Sequence, residues 1–357
     1  MKKLGNYILL NPKENISKGK IARKIAMENL KPFTRDINTW SNISFNGGSK
    51  FRNGDTLLAR ITPCLENGKT AFVNILGDDE IAYGSTEFYV LRAVKNKMDP
   101  YYLYYLTISK KFRNTMIKAM TGTSGRQRVP KEAVLEYLMD VPDFESQKKI
   151  GEKLKVIDDK ITLNNQINDN LLNFADKIFS KFLSVKDTEL KLLSDVANIK
   201  AGGDKPKNIS SVLTDMCSVP IFSNGISNNG LYGYTNESKI NQQAVTVSAR
   251  GTIGFVCLRE TPYYPIVRLI SAIPKGNITH RYLYLWLRKN NIQGYGTTQQ
   301  QLTVPVFKKY PISILRDEKD IDELNEFINP IFDKIQQNNV ENRKLVAIKK
   351  LMLKKYF

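Results

Sequence analysis

The stretch IDDKITLNN at residues 157–165 is repeated as IFDKIQQNN at residues 331–339, an offset of 174 positions. Six of the nine positions are identical, and the same offset pairs a further asparagine (168 with 342) and a further leucine (171 with 345). The likeness continues through the flanks, which span residues 142–183 and 317–353. A chain that carries one segment twice in this way is predicted to be a tandem duplication.

Apolar residues recur in both copies at the spacing of one helix face. The steps of four, three and four residues are typical of a heptad pattern, and continuing them reaches two asparagines and a leucine in each copy. The predicted seam comprises Ile150, Leu154, Ile157, Ile161, Asn164, Asn168 and Leu171 in the first copy and Leu324, Ile328, Ile331, Ile335, Asn338, Asn342 and Leu345 in the second.

The shared asparagines indicate what the two helices pack against. A polar residue in a seam costs stability but fixes the register and the choice of partner. Since both copies carry them, we expect the helices to pair with each other as an intramolecular antiparallel coiled coil, with a pseudo-two-fold axis and a globule at each end. The alternative is two unrelated amphipathic helices, each packed on its own domain. Pro330 predicts a kink or a fresh helix start in the second copy.

The regions before the helices also repeat. GTSGRQRVP (122–130) is echoed by GTTQQQLTVP (296–305), and each is followed by a β-like run, VLEYLMDVP or FKKYPISIL. The predicted fold is therefore α+β, with two mixed α/β domains joined by two long helices. The predicted boundaries are 1–144 and 186–316 for the domains, and 145–185 and 317–357 for the helical regions.

Composition indicates a polyanionic partner. The chain has 54 Lys and Arg against 35 Asp and Glu, a formal charge of +19, together with 17 tyrosines and 16 phenylalanines. Such a balance favours nucleic acid, although an AT-rich genome would also inflate Lys, Asn and Ile. The three cysteines form no CxxC pair, and no apolar run approaches the length of a membrane span. We therefore expect a cytoplasmic protein that does not enter a membrane.

The sequence contains residues that resemble a catalytic motif, but the motif is incomplete. Pro142-Asp143 followed by Asp158-Asp159-Lys160 resembles a nuclease pattern, yet its second part lies on the heptad helix and Phe332 replaces Asp158 in the other copy. A structural role in the helix is favoured. The single histidine, His280, leaves no His-rich metal cluster. These residues indicate a binding protein with no catalytic site, metal or cofactor of its own.

The order of these features resembles the DNA-specificity (S) subunit of type I restriction–modification systems over nearly the whole chain. The resemblance rests on GTSGRQRVP and its variant, the helix that carries Gln147 and Ile150, and the repeated IDxKI…N…N segment. The resemblance implies that each domain reads one half of a bipartite sequence in double-stranded DNA, while the coiled coil sets the spacer. It also implies two methyltransferase (M) subunits and restriction (R) subunits as partners, which would hold S-adenosylmethionine, ATP and Mg²⁺.

Basic and amide side chains in loops are the candidates for DNA contact, because Lys and Arg bind phosphates while Arg, Asn and Gln read base edges. The candidates are Lys50, Arg52, Arg126, Gln127 and Arg128 in the first domain and Lys205, Lys207, Arg250, Gln299, Gln300 and Gln301 in the second. GTSGRQR could instead be a structural loop or a methyltransferase contact, and AGGDKPKN (201–208) a solvated turn. Two other classes stay open: a single-chain nuclease or methyltransferase, and a helical scaffold that never touches DNA.

Overall fold

The computed structural model describes residues 1–123, 125–290, 292–293 and 301–357. The chain divides into two compact units, one of residues 1–166 with 339–357 and one of residues 167–338. Each unit contains one globule and a part of both long helices, so each globule packs with the helical segments of its own unit.

The globule of the first unit is built on two four-stranded sheets and a small ribbon. One sheet has the order β2-β9-β6-β7, the other β4-β3-β8-β5, and β1 pairs with β10. In the second sheet β3 and β8 run parallel, with Ile25 opposite Gly84. The strands are β1 Lys2–Lys3, β2 Ile8–Leu10, β3 Ile21–Ile25, β4 Ser41–Ser44, β5 Ser49–Phe51, β6 Thr56–Ala59, β7 Thr70–Phe72, β8 Ala82–Gly84, β9 Phe88–Ala93 and β10 Leu138–Met139.

The helices of the first unit are α1 Pro100–Ile108, α2 Lys110–Lys118, α3 Lys131–Leu135 and the 42-residue α4 Phe144–Val185, of which the first part belongs here. Helix α1 begins at Pro100 because the Asp99 side chain accepts the Tyr102 N–H, while proline at the first position needs no acceptor. Tyr102, Leu103 and Leu106 of this helix pack into the core with Tyr89 and Leu91 of β9. Gln147 of α4 is buried and bonded to the Lys97 and Pro142 carbonyls, which joins the helix start to the globule.

The second unit repeats this plan. Its sheets have the orders β12-β18-β15-β16 and β14-β13-β17, and β11 pairs with β19. Strands β13 and β17 run parallel, with Phe222 opposite Pro265. The elements are β11 Thr188–Leu192, α5 Leu193–Val196, β12 Ala197–Ala201, β13 Val219–Phe222, β14 Leu231–Thr235, β15 Ala244–Val247, β16 Val256–Arg259, β17 Tyr264–Pro265, β18 Ile270–Pro274, α6 His280–Lys289, α7 Val304–Lys308, β19 Pro311–Leu315 and the 39-residue α8 Glu318–Tyr356.

The long helices α4 and α8 pack together, antiparallel, in both units. In the first unit the Asn164 amide donates to the Asn342 side chain at 2.9 Å, and in the second the Asn338 amide donates to Asn168 at 2.8 Å. Further along, the rings of Phe182 and Phe327 lie 5.9 Å apart. Positions rise along one helix as they fall along the other, so the predicted antiparallel helix pair is confirmed.

All predicted seam residues face away from solvent to some degree. Ile150, Ile157, Ile161, Asn168, Leu171, Ile335, Asn342 and Leu345 are half-buried, while Leu154, Asn164, Leu324, Ile328, Ile331 and Asn338 are buried. Asparagine side chains in this seam find partners across the pair, which offsets the loss of water around their amides.

Two local predictions are only partly confirmed. Helix α8 continues through Pro330, so the alternative of a fresh helix start is wrong, while the alternative of a kink stays a prediction. The predicted β-like runs begin instead as the short helices α3 and α7, and strand is confined to Leu138–Met139 and Pro311–Leu315. Proline at the helix N-cap (Pro130) or in the first turn (Pro305) favours a helix start at these points.

Candidate nucleic-acid interface

The loop that joins α2 to α3 presents an arginine to solvent. Its base is closed by two backbone hydrogen bonds between Thr121 and Arg128, at 3.0 and 2.8 Å. Gly122 and Gly125 adopt φ angles of 121° and 77°, which glycine tolerates best. Arg126 lies exposed on this loop, and in the described part of the chain its guanidinium has no hydrogen-bond or ion-pair partner. The side chain is therefore available to a ligand.

Arg128, in contrast, is held by an ion pair at the surface of the globule. Its guanidinium lies 2.7 Å from a Glu87 carboxylate oxygen, and Arg60 binds the other oxygen at 3.1 Å. The hydrogen bond from Arg128 lowers the pKa of Glu87, although partial burial opposes this shift. One carboxylate thus neutralises part of the charge of two arginines.

The other candidates of the first domain are also tethered. Lys50 donates to the Glu14 carbonyl at 2.9 Å and lies over the Phe45 ring, and Arg52 pairs with the Glu14 carboxylate at 2.8 Å. Gln127 is half-buried, and its carbonyl accepts the Thr62 N–H at 3.0 Å. These contacts fix the loops but leave less of each side chain for a partner.

In the second unit, Arg250 and Gln301 come together. The Arg250 guanidinium donates to the Gln301 side-chain oxygen at 3.0 Å, and the adjacent backbones are joined by a 3.0 Å bond from Leu302 to Ala249. Arg250 is exposed, and this amide contact does not remove its charge. Gln299 and Gln300 lie outside the described residues.

The AGGDKPKN loop packs beside a strained turn. Lys205 lies over the Tyr232 ring at 4.4 Å and donates to its hydroxyl, while Lys207 is exposed. The Gly202 carbonyl accepts the Arg268 N–H at 3.0 Å. Val267 and Arg268 have φ angles of 53° and 60°, an unfavourable region for side chains of this kind, and such strain is concentrated at functional sites.

Arg268 was missed by sequence reasoning. Only the fold shows that Arg268 is exposed on a turn after β17. The same turn in the first unit follows β8 and is closed by an equivalent backbone bond, Phe88 to Ser85 at 3.2 Å against Leu269 to Ile266 at 3.1 Å. Arg268 therefore occupies the position of Glu87. The first unit has a carboxylate between its arginines where the second has a further cation.

A buried arginine joins each globule to a helix. Arg35, 4% exposed, pairs with Asp36 and with Asp159 of α4, both at 2.7 Å. Arg281, 8% exposed, pairs with Glu260 at 3.0 Å and with Asp333 of α8 at 2.6 Å. Since Asp159 and Asp333 are separated by the repeat offset of 174 residues, both arginines hold equivalent helix positions.

Comparison with known proteins places this architecture in a family. The family model for the type I restriction modification DNA specificity domain matches the chain twice, over residues 6–173 and 185–349. The chain belongs to the type I restriction–modification specificity family. Its two matches coincide with the two copies of globule and helix found in the sequence and the fold.

Individual relatives agree with this assignment. A putative type I specificity subunit of Mycoplasma pneumoniae is 28% identical over 65% of this chain and 65% of its own length. The HindI specificity subunit of Haemophilus influenzae is 23% identical over 85% of both chains. A crystal structure of a type I S subunit from M. genitalium covers all of this chain and 95% of its own, with a TM-score of 0.60 and 14% identity, and so shares its fold.

The described helices include none that is both long enough and apolar enough to cross a bilayer.

Asp158, part of the nuclease-like pattern, is bonded to Tyr105 and Lys349 inside the first unit.

Proposed function

We propose that this chain is the DNA-specificity subunit of a type I restriction–modification complex, and that each of its two specificity domains reads one half of a bipartite duplex target. The observation that carries the proposal is the double match to the specificity-domain family, one match for each globule with its helix. The charge of +19 supports DNA as the ligand, since Lys and Arg side chains supply most of the affinity for phosphates.

The two domains are proposed to read different half-sites. Arg126 is the exposed cation of the loop in the first unit, whereas Arg250 with Gln301 and the neighbouring Arg268 turn supply cations and an amide in the second. Arginine recognises guanine and glutamine recognises adenine in the major groove, so unlike side chains favour unlike bases. An asymmetric target follows from the difference between the two loops.

The chain is proposed to act without catalysis. Two methyltransferase subunits would bind it to modify DNA, and restriction subunits would join them for cleavage. S-adenosylmethionine, ATP and Mg²⁺ are proposed to belong to those partners, with no cofactor or metal held by this chain.

The test is selection of bound sequences from a random duplex library, with the native chain and with Arg126→Ala and Arg250→Ala. We expect a bipartite motif for the native chain. Each variant should relax one half of the motif and leave the other unchanged, at about 1–3 kcal/mol per lost base contact. Lys344→Ala, which removes an exposed cation from α8, is the matched control and should retain both halves.

A continuous motif, or a variant that relaxes both halves equally, would contradict the proposal. Methylation or cleavage of DNA by the purified chain without added subunits would favour the single-chain enzyme instead.

A further inference from the structure

One asparagine contact between α4 and α8 recurs in both units. Adding the offset of 174 residues to Asn164 gives Asn338, and adding it to Asn168 gives Asn342. The bond from Asn164 to Asn342 in the first unit therefore corresponds to the bond from Asn338 to Asn168 in the second. Such contacts fix the register, but they cannot distinguish one helix from the other because both helices carry the same residues.

A buried ion pair between α4 and α8 breaks this equivalence. The partly exposed bond from the Asn164 amide to Glu341 at 2.8 Å does so as well, because the offset converts Glu341 into Ile167. In the first unit the Lys349 ammonium donates to a carboxylate oxygen of Asp158 at 2.6 Å, and Tyr105 donates to the other oxygen at 2.8 Å. Asp158 is 5% exposed and Lys349 8%. A buried carboxylate and a buried ammonium thus neutralise each other across the helix pair.

The corresponding positions of the second unit are apolar. The offset converts Asp158 into Phe332 and Lys349 into Ala175. Phe332 is 3% exposed, Ala175 is fully buried, and both belong to the core cluster of that unit. The Tyr284 ring lies 5.9 Å from the Phe332 ring. Helix α4 thus carries Asp then Ala, while α8 carries Phe then Lys.

Pairing between like helices would mismatch these residues. Two copies of α4 in the same antiparallel register would place Asp158 of one opposite Ala175 of the other. Two copies of α8 would place Lys349 opposite Phe332. A buried charge without a counter-ion is strongly unfavourable, whereas an apolar pair costs nothing of this kind.

We propose that Asp158 and Lys349, set against Phe332 and Ala175, make α4 and α8 select each other and reject the same helix of a second copy of this chain. The asparagines define the register, and the asymmetric pair defines the partner. Discrimination of this sort rests on the penalty for the wrong pairing more than on the energy of the right one. The proposal is independent of what the globules bind.

The like-helix contact can be reproduced inside the full chain. Asp158→Leu with Ala175→Lys gives α4 the apolar-then-lysine pattern of α8, so that Lys349 faces the introduced leucine and the introduced lysine faces Phe332. Leucine is chosen over phenylalanine to limit the added volume. We expect this double variant to lower the ratio of folded to unfolded protein at least 100-fold, measured by urea unfolding.

A quadruple variant restores complementarity with the patterns exchanged. Adding Phe332→Asp and Lys349→Ala to the double variant places the introduced lysine of α4 opposite an introduced aspartate of α8, and the introduced leucine opposite an introduced alanine. We expect the folded ratio to recover at least 10-fold relative to the double variant. Because the quadruple variant keeps both original substitutions, local strain from the leucine or the lysine of α4 alone would give no recovery.

The variant Asp158→Leu/Lys349→Ala is the matched control, since it makes both helix contacts apolar. We expect its folded ratio to be at least 10-fold above that of the first double variant, because apolar residues replace a buried ion pair at little cost. The Tyr105 hydroxyl loses its acceptor in both variants, so this loss does not affect the comparison. The proposal fails if the first double variant is as stable as the native chain, or if the quadruple variant is no more stable than that double variant.

Discussion

At the scale of single residues, the two units differ in the side chains that their arginines bind. Arg60 and Arg128 converge on Glu87 in the first unit, whereas Arg250 binds the neutral Gln301 in the second, and Arg268 takes the position of Glu87. The pKa of Glu87 is lowered in the folded protein. Its ion pairs therefore stabilise the fold at pH values above the ordinary pKa of a glutamate, and this stabilisation is lost as the pH falls through the lowered pKa. At neutral pH the two arginines are therefore held by the protein and only partly offered to DNA.

Neutralising Glu87 should release these arginines to phosphate. We expect Glu87→Gln to tighten binding to random duplex DNA and to steepen the slope of log K against log salt by about 1–2, since each phosphate contact contributes about 0.9. The measurement is fluorescence anisotropy over a salt series. Glu28→Gln makes the same change of charge at an exposed site and is the control. An identical slope in the two variants would show that Arg60 and Arg128 do not reach DNA.

These partnerships could not be predicted from the sequence. Arg52 and Arg128 lie in polar loops and read as free cations, yet their carboxylate partners, Glu14 and Glu87, are 38 and 41 positions away. Arg126 was predicted with the same argument, and it does remain exposed. Local composition indicates which side chains are basic, but only the fold determines which of them meet a carboxylate.

At the scale of elements, the sequence predicted the long helices better than anything else. The heptad spacing and the repeated asparagines require only local periodicity and the offset of the repeat, so α4, α8 and their mutual packing could be predicted from them. The ion pair of Asp158 with Lys349 spans 191 positions and leaves no periodic signal. The short helices α3 and α7 were misassigned because their short apolar runs fit a strand as well as a helix.

Lengthening both helices together should lengthen the unread spacer of the DNA target. We expect a seven-residue insertion after Asn165, matched by seven residues before Glu341, to preserve the seam and add about 10 Å. This corresponds to about three base pairs, and sequencing of methylated sites in cells that also express the methyltransferase would measure it.

An insertion into α4 alone is the control for this experiment. It leaves α8 without matching residues, shifts the seam beyond Asn165 out of register, and is expected to abolish methylation. An unchanged spacer with the matched insertion would show that the helices do not set the distance between half-sites.

At the scale of the whole molecule, duplication allows one chain to carry two versions of one plan. Each unit joins its globule to a helix through a buried arginine, Arg35 to Asp159 or Arg281 to Asp333, at equivalent helix positions. The acidic position on the helix is thus repeated, although the arginine comes from the segment before β4 in one unit and from α6 in the other. The loops and the helix contact at Asp158 also differ between the copies. Such a division favours unlike half-sites on a shared scaffold.

Arg126 allows the two surfaces proposed for this molecule, one for DNA and one for the methyltransferase, to be tested separately. We expect Arg126→Ala to weaken binding to the cognate duplex about 10-fold or more, and to leave the affinity for the methyltransferase subunit within about 2-fold, because a charged loop contact of about 1.4 kcal/mol corresponds to a factor of 10. Both affinities are measured on the same preparation, by anisotropy for DNA and by calorimetry for the subunit. Equal losses in the two measurements would place the 122–128 loop at the methyltransferase interface, and reading of the first half-site would then depend on other side chains of that domain.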